Sequence, residues 1–127
     1  MLFERYENGL YSVMNDLEQH GARLHSVIGD VTDARRLNSV VKDLRPHIIF
    51  HAAAHKHVPI MEINPGEAVK NNILGTMTIA DACLANGVAR MVMISTDKAV
   101  NPTSVMGCTK RVAEMYVQGL TECGVTQ

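Results

Sequence analysis

Three consecutive residues, Thr96, Asp97 and Lys98, bring a hydroxyl, a carboxylate and an amine together in the sequence. Groups of these types can hydrogen-bond a substrate and exchange protons with it, which makes the tripeptide a candidate for general acid–base catalysis. The same tripeptide is also typical of a solvated turn, and taken alone it favours that interpretation. Its position in the fold has to decide between the two.

Histidines form a second group that could do chemistry, because His51, His55 and His57 stand close together, with Lys56 between the last two. Catalytic metal sites normally need three ligands of fixed geometry. The histidines lie at the end of a predicted strand, and no cluster of carboxylates lies near them in the sequence. We therefore expect no metal site here.

The elements that must position these residues alternate between short apolar strands and helical patterns. Strands are predicted at residues 1–4, 22–30, 47–54 and 89–96, and helices at about 9–20, at 33–45, at 68–87 and from about 103 onwards. Pro46 ends the second helix, and the pair Asn86-Gly87 is a C-terminal cap signal for the third. Strands separated by helices of this length predict an α/β fold with a parallel sheet.

In such a sheet the ligand binds beyond the carboxyl ends of the strands. The residues at those ends are Glu4, Gly29 and Asp30, Ala52 to Ala54, and Ser95 to Lys98. The candidate polar residues thus converge on one edge of the sheet, which favours a functional site over a set of separate turns. For Asp30 a purely structural role is an alternative interpretation, because aspartate is common in turns and as a helix cap.

Composition narrows the class of protein. The 127 residues fit one domain, and a net charge of −1 gives no electrostatic reason to expect a nucleic-acid partner.

No apolar run approaches the roughly 18 residues of a membrane span, and the N-terminus lacks the pattern of a signal peptide. Cys83, Cys108 and Cys123 have no metal-type spacing and are typical of reduced thiols. The sequence predicts a cytoplasmic chain without membrane contacts of its own.

Two stretches, HAAAHKHVPIMEINPGEAVKNNILGT at 51–76 and STDKAVNPTSVMGCTKRVAEMYV at 95–117, resemble the extended short-chain dehydrogenase/reductases. Within them the chain is most similar to the capsular-polysaccharide type of UDP-N-acetylglucosamine 4,6-dehydratase, from about Leu2 to Leu120. The resemblance implies a Rossmann-like, doubly wound parallel sheet, with NAD rather than NADP as cofactor and a UDP-sugar as substrate. That family oxidises carbon 4 of the sugar, eliminates water across carbons 5 and 6, and returns the hydride to carbon 6.

The resemblance implies that Thr96, Asp97 and Lys98 form the catalytic triplet. Thr96 would hydrogen-bond a sugar hydroxyl, Asp97 would protonate the departing hydroxyl, and Lys98, once buried, would remove the proton at carbon 5.

The resemblance also implies that Lys110 binds the nicotinamide ribose. Met106, one helical turn earlier, takes the place of a tyrosine that most short-chain dehydrogenases have. A thioether cannot exchange protons, so Asp97 becomes the candidate base for oxidation at carbon 4. Methionine at this position resembles the membrane-anchored branch of these dehydratases. We expect Met106→Tyr to be tolerated, because a flexible thioether slot often accepts a side chain of similar reach.

The same resemblance places the cofactor along the strand ends. Glu4 would bind the adenosine ribose, Asp30 the adenine edge, and Asn72 would face the cofactor from its helix, although Asn71 could equally do so. The other implied residues are Ala52, Ala53 and Ser95 on the cofactor side and Lys56 and His57 in a substrate-side loop.

A complete domain of this type opens with a strand and a glycine-rich turn, GxGxxG, which the sequence does not contain. We therefore expect residues 1–127 to form a partial NAD-binding domain without a substrate domain, inactive and weak in NAD binding by itself. Alternatives are a catalytically silent nucleotide-binding or assembly module and a UDP-sugar epimerase relative. A sheet without its central strand is expected to form homo-oligomers, exchange strands, or pair its flanking strands directly.

Overall fold

A computed structural model describes residues 1–21 and 23–122 of the chain. Its strands are β1 Leu2–Glu4, β2 Ser26–Ile28, β3 Ile48–His51 and β4 Arg90–Met93. Its helices are α1 Glu7–Glu18, α2 Ala34–Leu44, α3 Val58–Ile63, α4 Pro65–Ala68, α5 Gly75–Ala85 and α6 Val105–Glu122, with a π-helical turn at Val69–Leu74 and a 3-10 turn at Asp97–Ala99. The predicted α/β class is confirmed. None of the described helices is long and apolar enough to cross a membrane.

The strands form two separate parallel pairs. β1 pairs with β2, with Leu2 opposite Ser26, and β3 pairs with β4, with Ile48 opposite Arg90. Among the described residues β1 and β3 do not pair with each other, so the predicted direct pairing of these flanking strands is wrong. In a Rossmann-like sheet another strand lies between these two, so they are not neighbours.

One apolar core joins the two strand pairs. Its buried members come mainly from α2, α5 and the adjoining loops, and they are Val31, Leu37, Val41, Ile79, Ala82, Cys83 and Val88. Phe3 of β1 and Ile49 of β3 both pack against this cluster. Because strands of both pairs pack against this one cluster, residues at the ends of β1 and β3 can line a common cavity.

Helix α2 shows how local sequence signals set the ends of an element. The side chain of Asp33 accepts a hydrogen bond from the backbone N–H of Arg36 at 3.0 Å, which satisfies a free donor in the first turn. Arg45 follows the helix in the left-handed region with φ of 44°, and Pro46 stands directly after it. The predicted stop at Pro46 therefore agrees with the structure.

The helix predicted at 68–87 is longer and less regular than expected. Helical structure runs from Pro65 to Ala85 and includes the π-helical turn, a rare geometry that is frequent at functional sites. The sequence prediction also lacks α3 and the 3-10 turn. Both are too short for a periodic pattern, and Pro59 in α3 is a loop signal even though proline is favoured in the first turn of a helix.

Candidate functional site

A cavity of about 220 Å³ lies at the carboxyl ends of β1 and β3. It is lined by residues that follow the strands and by one helix residue: Phe3, Glu4, Arg5, Gly29, Asp30, Val31, Ala52, Ala53, Ala54, His55 and Asn71. The structure thus brings together Glu4, Asp30, Ala52 and Ala53, which the sequence analysis placed on the cofactor side.

Two carboxylates line this cavity, and nearby groups hold both of them. Asp30 Oδ1 accepts hydrogen bonds from the backbone N–H and the hydroxyl of Thr32, each at 2.8 Å, and Oδ2 lies 3.3 Å from Arg5 Nη1. The backbone N–H of Thr32 is the largest of the contacts that lower the pKa of Asp30. Glu4 Oε1 accepts the backbone N–H of Tyr6 at 2.9 Å. Asp30 is therefore an ionised turn residue, and its contact with adenine stays a prediction.

The two asparagines of the π-helical turn have different surroundings. Asn72 is buried, and its amide oxygen accepts the backbone N–H of His55 at 2.8 Å. Its amide nitrogen donates to the carbonyl of His55 at 3.1 Å and to the hydroxyl of Thr109 at 3.0 Å. Asn71 lines the cavity instead. Asn72 thus joins the loop after β3 to α6, and Asn71 is the better candidate for a cofactor contact.

His51 ends β3 inside the protein. It is 2% exposed, and its Nε2 lies 2.8 Å from the hydroxyl of Thr76. That hydroxyl donates its proton to the carbonyl of Asn72 at 2.7 Å, so the histidine donates from Nε2 and carries no proton on Nδ1. Nδ1 has no hydrogen-bond partner among the described residues. Burial, followed by the charge of Lys110, lowers the pKa of His51 to about 4, which makes it a neutral histidine.

The loop after β3 carries the predicted substrate-side residues. His55 is half-buried, whereas Lys56 and His57 are exposed. His57 directly precedes α3, and its side chain makes no capping hydrogen bond. In residues 1–21 and 23–122, no group of three histidine, cysteine or acidic side chains is placed to hold a metal ion. The substrate contacts of Lys56 and His57 stay predictions.

Asp97 and Lys98 of the predicted catalytic triplet lie in the 3-10 turn just beyond β4, and Thr96 directly precedes this turn. The Thr96 hydroxyl donates to Asp97 Oδ1 at 2.9 Å, and Lys98 Nζ lies 3.4 Å from the same oxygen. These two contacts, that of Thr96 first, lower the pKa of Asp97, so the carboxylate is ionised at neutral pH. The Lys98 side chain is 54% exposed. The side chain of Lys98 is therefore exposed in the free protein, contrary to the expected burial, because α6 covers the backbone of the turn and not this side chain.

Lys110 is the buried cation of the site. It is 5% exposed, and its Nζ donates to the carbonyl of Ile94 at 2.7 Å. Burial lowers the pKa of Lys110, while the nearby charge of Glu114 acts in the opposite direction. The contact with Ile94 fixes the ammonium group at the end of β4, a short distance along the chain before the 3-10 turn.

Met106, in contrast, belongs to a small apolar cluster. It is 2% exposed and packs with Met61 and Ala68, and the half-buried Val58 and Val105 surround them. The slot that was expected to accept a tyrosine is therefore closed by apolar side chains.

Helix α6 lies unusually close to the 3-10 turn at Asp97–Ala99, because Gly107 has no side chain. A Cβ at Gly107 would stand 2.2 Å from the carbonyl oxygen of Lys98, far inside normal contact. The carboxylate of Glu62 on α3 accepts the first backbone N–H of α6, that of Val105, at 2.7 Å. The sequence analysis identified neither Gly107 nor Glu62, since contacts of this kind leave no periodic or motif signal.

Ser95 links the end of β4 to α6. Its hydroxyl donates to Oε1 of Glu114, and Oε2 of Glu114 accepts a hydrogen bond from Arg111 at 2.9 Å. Glu114 was missed in the sequence analysis. Its spacing of four residues from Lys110, which allows an ion pair on one helix face, is the signal that could have found it.

Parallel strands joined through helices, with polar residues gathered at the carboxyl ends, define a Rossmann-type domain. A similar fold is present in the X-ray structure of Pen from Bacillus thuringiensis, with a TM-score of 0.84 and 32% identity, covering 92% of this chain and 36% of that one.

Residues 1–126 match the polysaccharide biosynthesis protein family, and the chain belongs to that family. It is 50% identical over 119 residues to the capsular polysaccharide biosynthesis protein CapD of Staphylococcus aureus, covering 91% of this chain and 20% of that protein. It is 47% identical over 87 residues to a UDP-N-acetylglucosamine 4,6-dehydratase (inverting) of Campylobacter jejuni, covering 68% of this chain and 25% of that enzyme. The chain therefore spans a quarter or less of the length of these two relatives, and the predicted family is confirmed.

The burial of Met106 reverses one expectation. Met106→Tyr places a phenol hydroxyl in the cluster with Met61 and Ala68, where it finds no partner, and we expect a loss of about 1–3 kcal/mol in the free energy of unfolding. Met106→Leu, which conserves volume, serves as the control and is expected to cost under about 1.5 kcal/mol. Urea unfolding measures both. A Met106→Tyr protein as stable as the wild type would show that the slot is open after all.

The neutral state of His51 predicts a pH-dependent stability. Its pKa is about 4 when folded against an ordinary value of 6.5, so the unfolded chain binds a proton first as the pH falls. The stabilising contribution is complete above pH 6.5 and is lost between 6.5 and about 4, a change of roughly 3 kcal/mol. His51→Gln keeps a donor for Thr76 but does not titrate, so its free energy of unfolding should lack this dependence on pH. His20→Gln, at an exposed histidine, should retain it. Equal slopes in the wild type and His51→Gln, from urea unfolding at several pH values, would contradict the assignment.

Proposed function

We propose that this chain supplies the catalytic turn and part of the cofactor site of an NAD-dependent UDP-N-acetylglucosamine 4,6-dehydratase. The observation that carries the proposal is the packing of α6 on the 3-10 turn. It sets the ionised Asp97 and the amine of Lys98 beside the buried Lys110 at the carboxyl end of β4. The named activity of the Campylobacter jejuni relative supports the same reaction and substrate class.

The cavity beyond β1 and β3 fits the adenosine part of a nicotinamide dinucleotide. Glu4 is the last residue of β1, where a carboxylate can accept hydrogen bonds from ribose hydroxyls and disfavours a 2'-phosphate. Arg5, which could attract that phosphate, is paired with Asp30. These two contacts support NAD over NADP. Asn71, rather than Asn72, is proposed to reach the cofactor from the π-helical turn.

Lys110 is proposed to hold the nicotinamide end. Its ammonium group has three N–H donors, of which one is used by the carbonyl of Ile94, so donors remain for the hydroxyls of the nicotinamide ribose. A nicotinamide held there would supply the hydride transfer of the reaction, away from carbon 4 of the sugar and back to carbon 6.

The catalytic turn can complete the proton transfers of this reaction. Asp97, ionised in the free protein, accepts the proton of the carbon 4 hydroxyl and later gives it to the hydroxyl that leaves carbon 6. Lys98 takes the proton from carbon 5 and returns it there at the end, so the net change is the loss of one water. Thr96 holds Asp97 in place through its hydroxyl. A sugar bound over the exposed turn would provide the desolvation that favours a neutral Lys98.

The partners follow from the same proposal. The substrate is a UDP-sugar that contacts the exposed Lys56 and His57, and the reaction takes place in the cytoplasm, in a protein anchored at the inner face of the membrane. We also propose that the protein forms homo-oligomers. Among the described residues, the edges of β1 and β3 that face away from their partner strands pair with no other strand, which supports strand exchange between copies.

Lys98→Ala tests the catalytic assignment in the full-length protein that contains this chain. With UDP-N-acetylglucosamine and NAD, we expect the variant to lose about 100-fold or more of the turnover, because it lacks the base for carbon 5, while NAD binding is unchanged. Mass spectrometry follows the loss of one water from the sugar nucleotide, and calorimetry follows NAD.

Lys42→Ala is the matched control, since Lys42 is an exposed lysine in the last turn of α2, remote in sequence from the catalytic turn. Near-normal turnover in Lys98→Ala would remove the catalytic assignment. A wild-type protein that binds NAD but never dehydrates or otherwise alters a UDP-sugar would favour a catalytically silent module.

A further inference from the structure

Glu114 occupies a bridging position that the proposed reaction does not use. Each of its carboxylate oxygens has its own partner: Oε1 accepts from the hydroxyl of Ser95, and Oε2 from Arg111 at 2.9 Å. Ser95 follows β4 and directly precedes the catalytic turn, whereas Glu114 and Arg111 both lie on α6. One side chain thus links the end of the strand to the helix.

Glu114 also stands one helical turn after Lys110, on the same face of α6. Lys110 is almost completely buried, and its ammonium group is fixed by the carbonyl of Ile94, a neutral acceptor. A buried ammonium group is costly unless an opposite charge compensates it. The facing charged and titratable groups are the carboxylate of Glu114 on its own helix and His51 on β3, and His51 is neutral.

We propose that Glu114 is a positioning residue of the site assigned under the proposed function, on which this inference rests. Its carboxylate holds Ser95 against α6 and supplies the negative charge that keeps Lys110 protonated, so that Lys110 can donate to the nicotinamide ribose. Glu114 acts through these two residues and does not touch the reacting atoms.

A simple surface ion pair with Arg111 does not account for this arrangement. The Arg111 side chain is 45% exposed and sits three residues earlier on the same helix, a geometry that contributes little to stability. An ion pair between Arg111 and Glu114 would not require the hydrogen bond from Ser95, which lies outside α6. The hydrogen bond from Ser95 is the largest cause of the lowered pKa of Glu114, ahead of its contacts with Arg111.

Three variants separate these roles. Glu114→Gln keeps the shape and an acceptor for Ser95 but removes the charge, and Glu114→Ala removes both. Arg111→Ala removes the outer ion pair and leaves Ser95 and Lys110 untouched, so it is the matched control. If Glu114→Ala fails to fold, Glu114→Gln still tests the charge.

The first readout is the pKa of Lys110, which does not depend on activity. Carbon-13 NMR of labelled lysine follows the ε-carbon shift against pH, and the signal that is missing in Lys110→Arg identifies the residue. We expect the pKa of Lys110 to fall by about one pH unit or more in both Glu114 variants and not to fall in Arg111→Ala. An unchanged pKa in Glu114→Gln, or an equal fall in Arg111→Ala, would overturn the proposal.

The second readout is the affinity for NAD of the full-length protein, measured by calorimetry against pH. In Glu114→Gln the affinity should fall at a lower pH than in the wild type, because Lys110 loses its proton earlier, and identical pH profiles would contradict the positioning role. The proposed function fails separately: it is contradicted if the unmodified protein does not dehydrate a UDP-sugar, whatever the pKa of Lys110 turns out to be.

Discussion

The close approach of α6 to the turn after β4 is the constraint on which the candidate site depends. A glycine at position 107 is what allows it, because any side chain there would collide with the carbonyl oxygen of Lys98. The same approach brings the ammonium group of Lys110 to the carbonyl of Ile94 and the carboxylate of Glu114 to Ser95. The turn at Asp97–Ala99, which would otherwise be an ordinary exposed turn, thereby lies near the buried ammonium group of Lys110.

Burial divides the ionisable groups of the site into two sets with different tasks. His51 is enclosed and neutral, and it ties β3 to α5 through Thr76. Lys110 is enclosed, and the carboxylate of Glu114, one helical turn away, opposes the effect of burial on its pKa. Asp97 and Lys98 are exposed, with side chains 88% and 54% accessible, and are free to meet a substrate. The groups that hold the site lie inside, and the groups that can exchange protons with a ligand lie at its surface.

Sequence reasoning succeeded where the signal is local or periodic. The order of strands and helices, the stop of α2 at Pro46 and the acidic residues at the ends of β1 and β2 can all be read from short patterns, and the cavity indeed gathers Glu4 and Asp30. The strands predicted at 22–30, 47–54 and 89–96 are longer than β2, β3 and β4. Sequence reasoning failed where the outcome depends on packing between distant elements. The burial of Met106 against Met61 and the use of Asn72 to hold the loop after β3 follow from the docking of α6, which no local pattern encodes. Helix α3 is too short to have a period of its own.

The most direct test of the central claim is a pair of glycine substitutions in α6 of the full-length protein. Gly107→Ala should push α6 off the turn and abolish UDP-sugar dehydration, with a lower melting temperature. Gly119→Ala should preserve both properties, because a Cβ at Gly119 meets no atom within 4 Å. Dehydration activity and melting temperature, measured side by side, decide the matter. A Gly107→Ala protein with wild-type turnover and stability would contradict the claim that this contact builds the site.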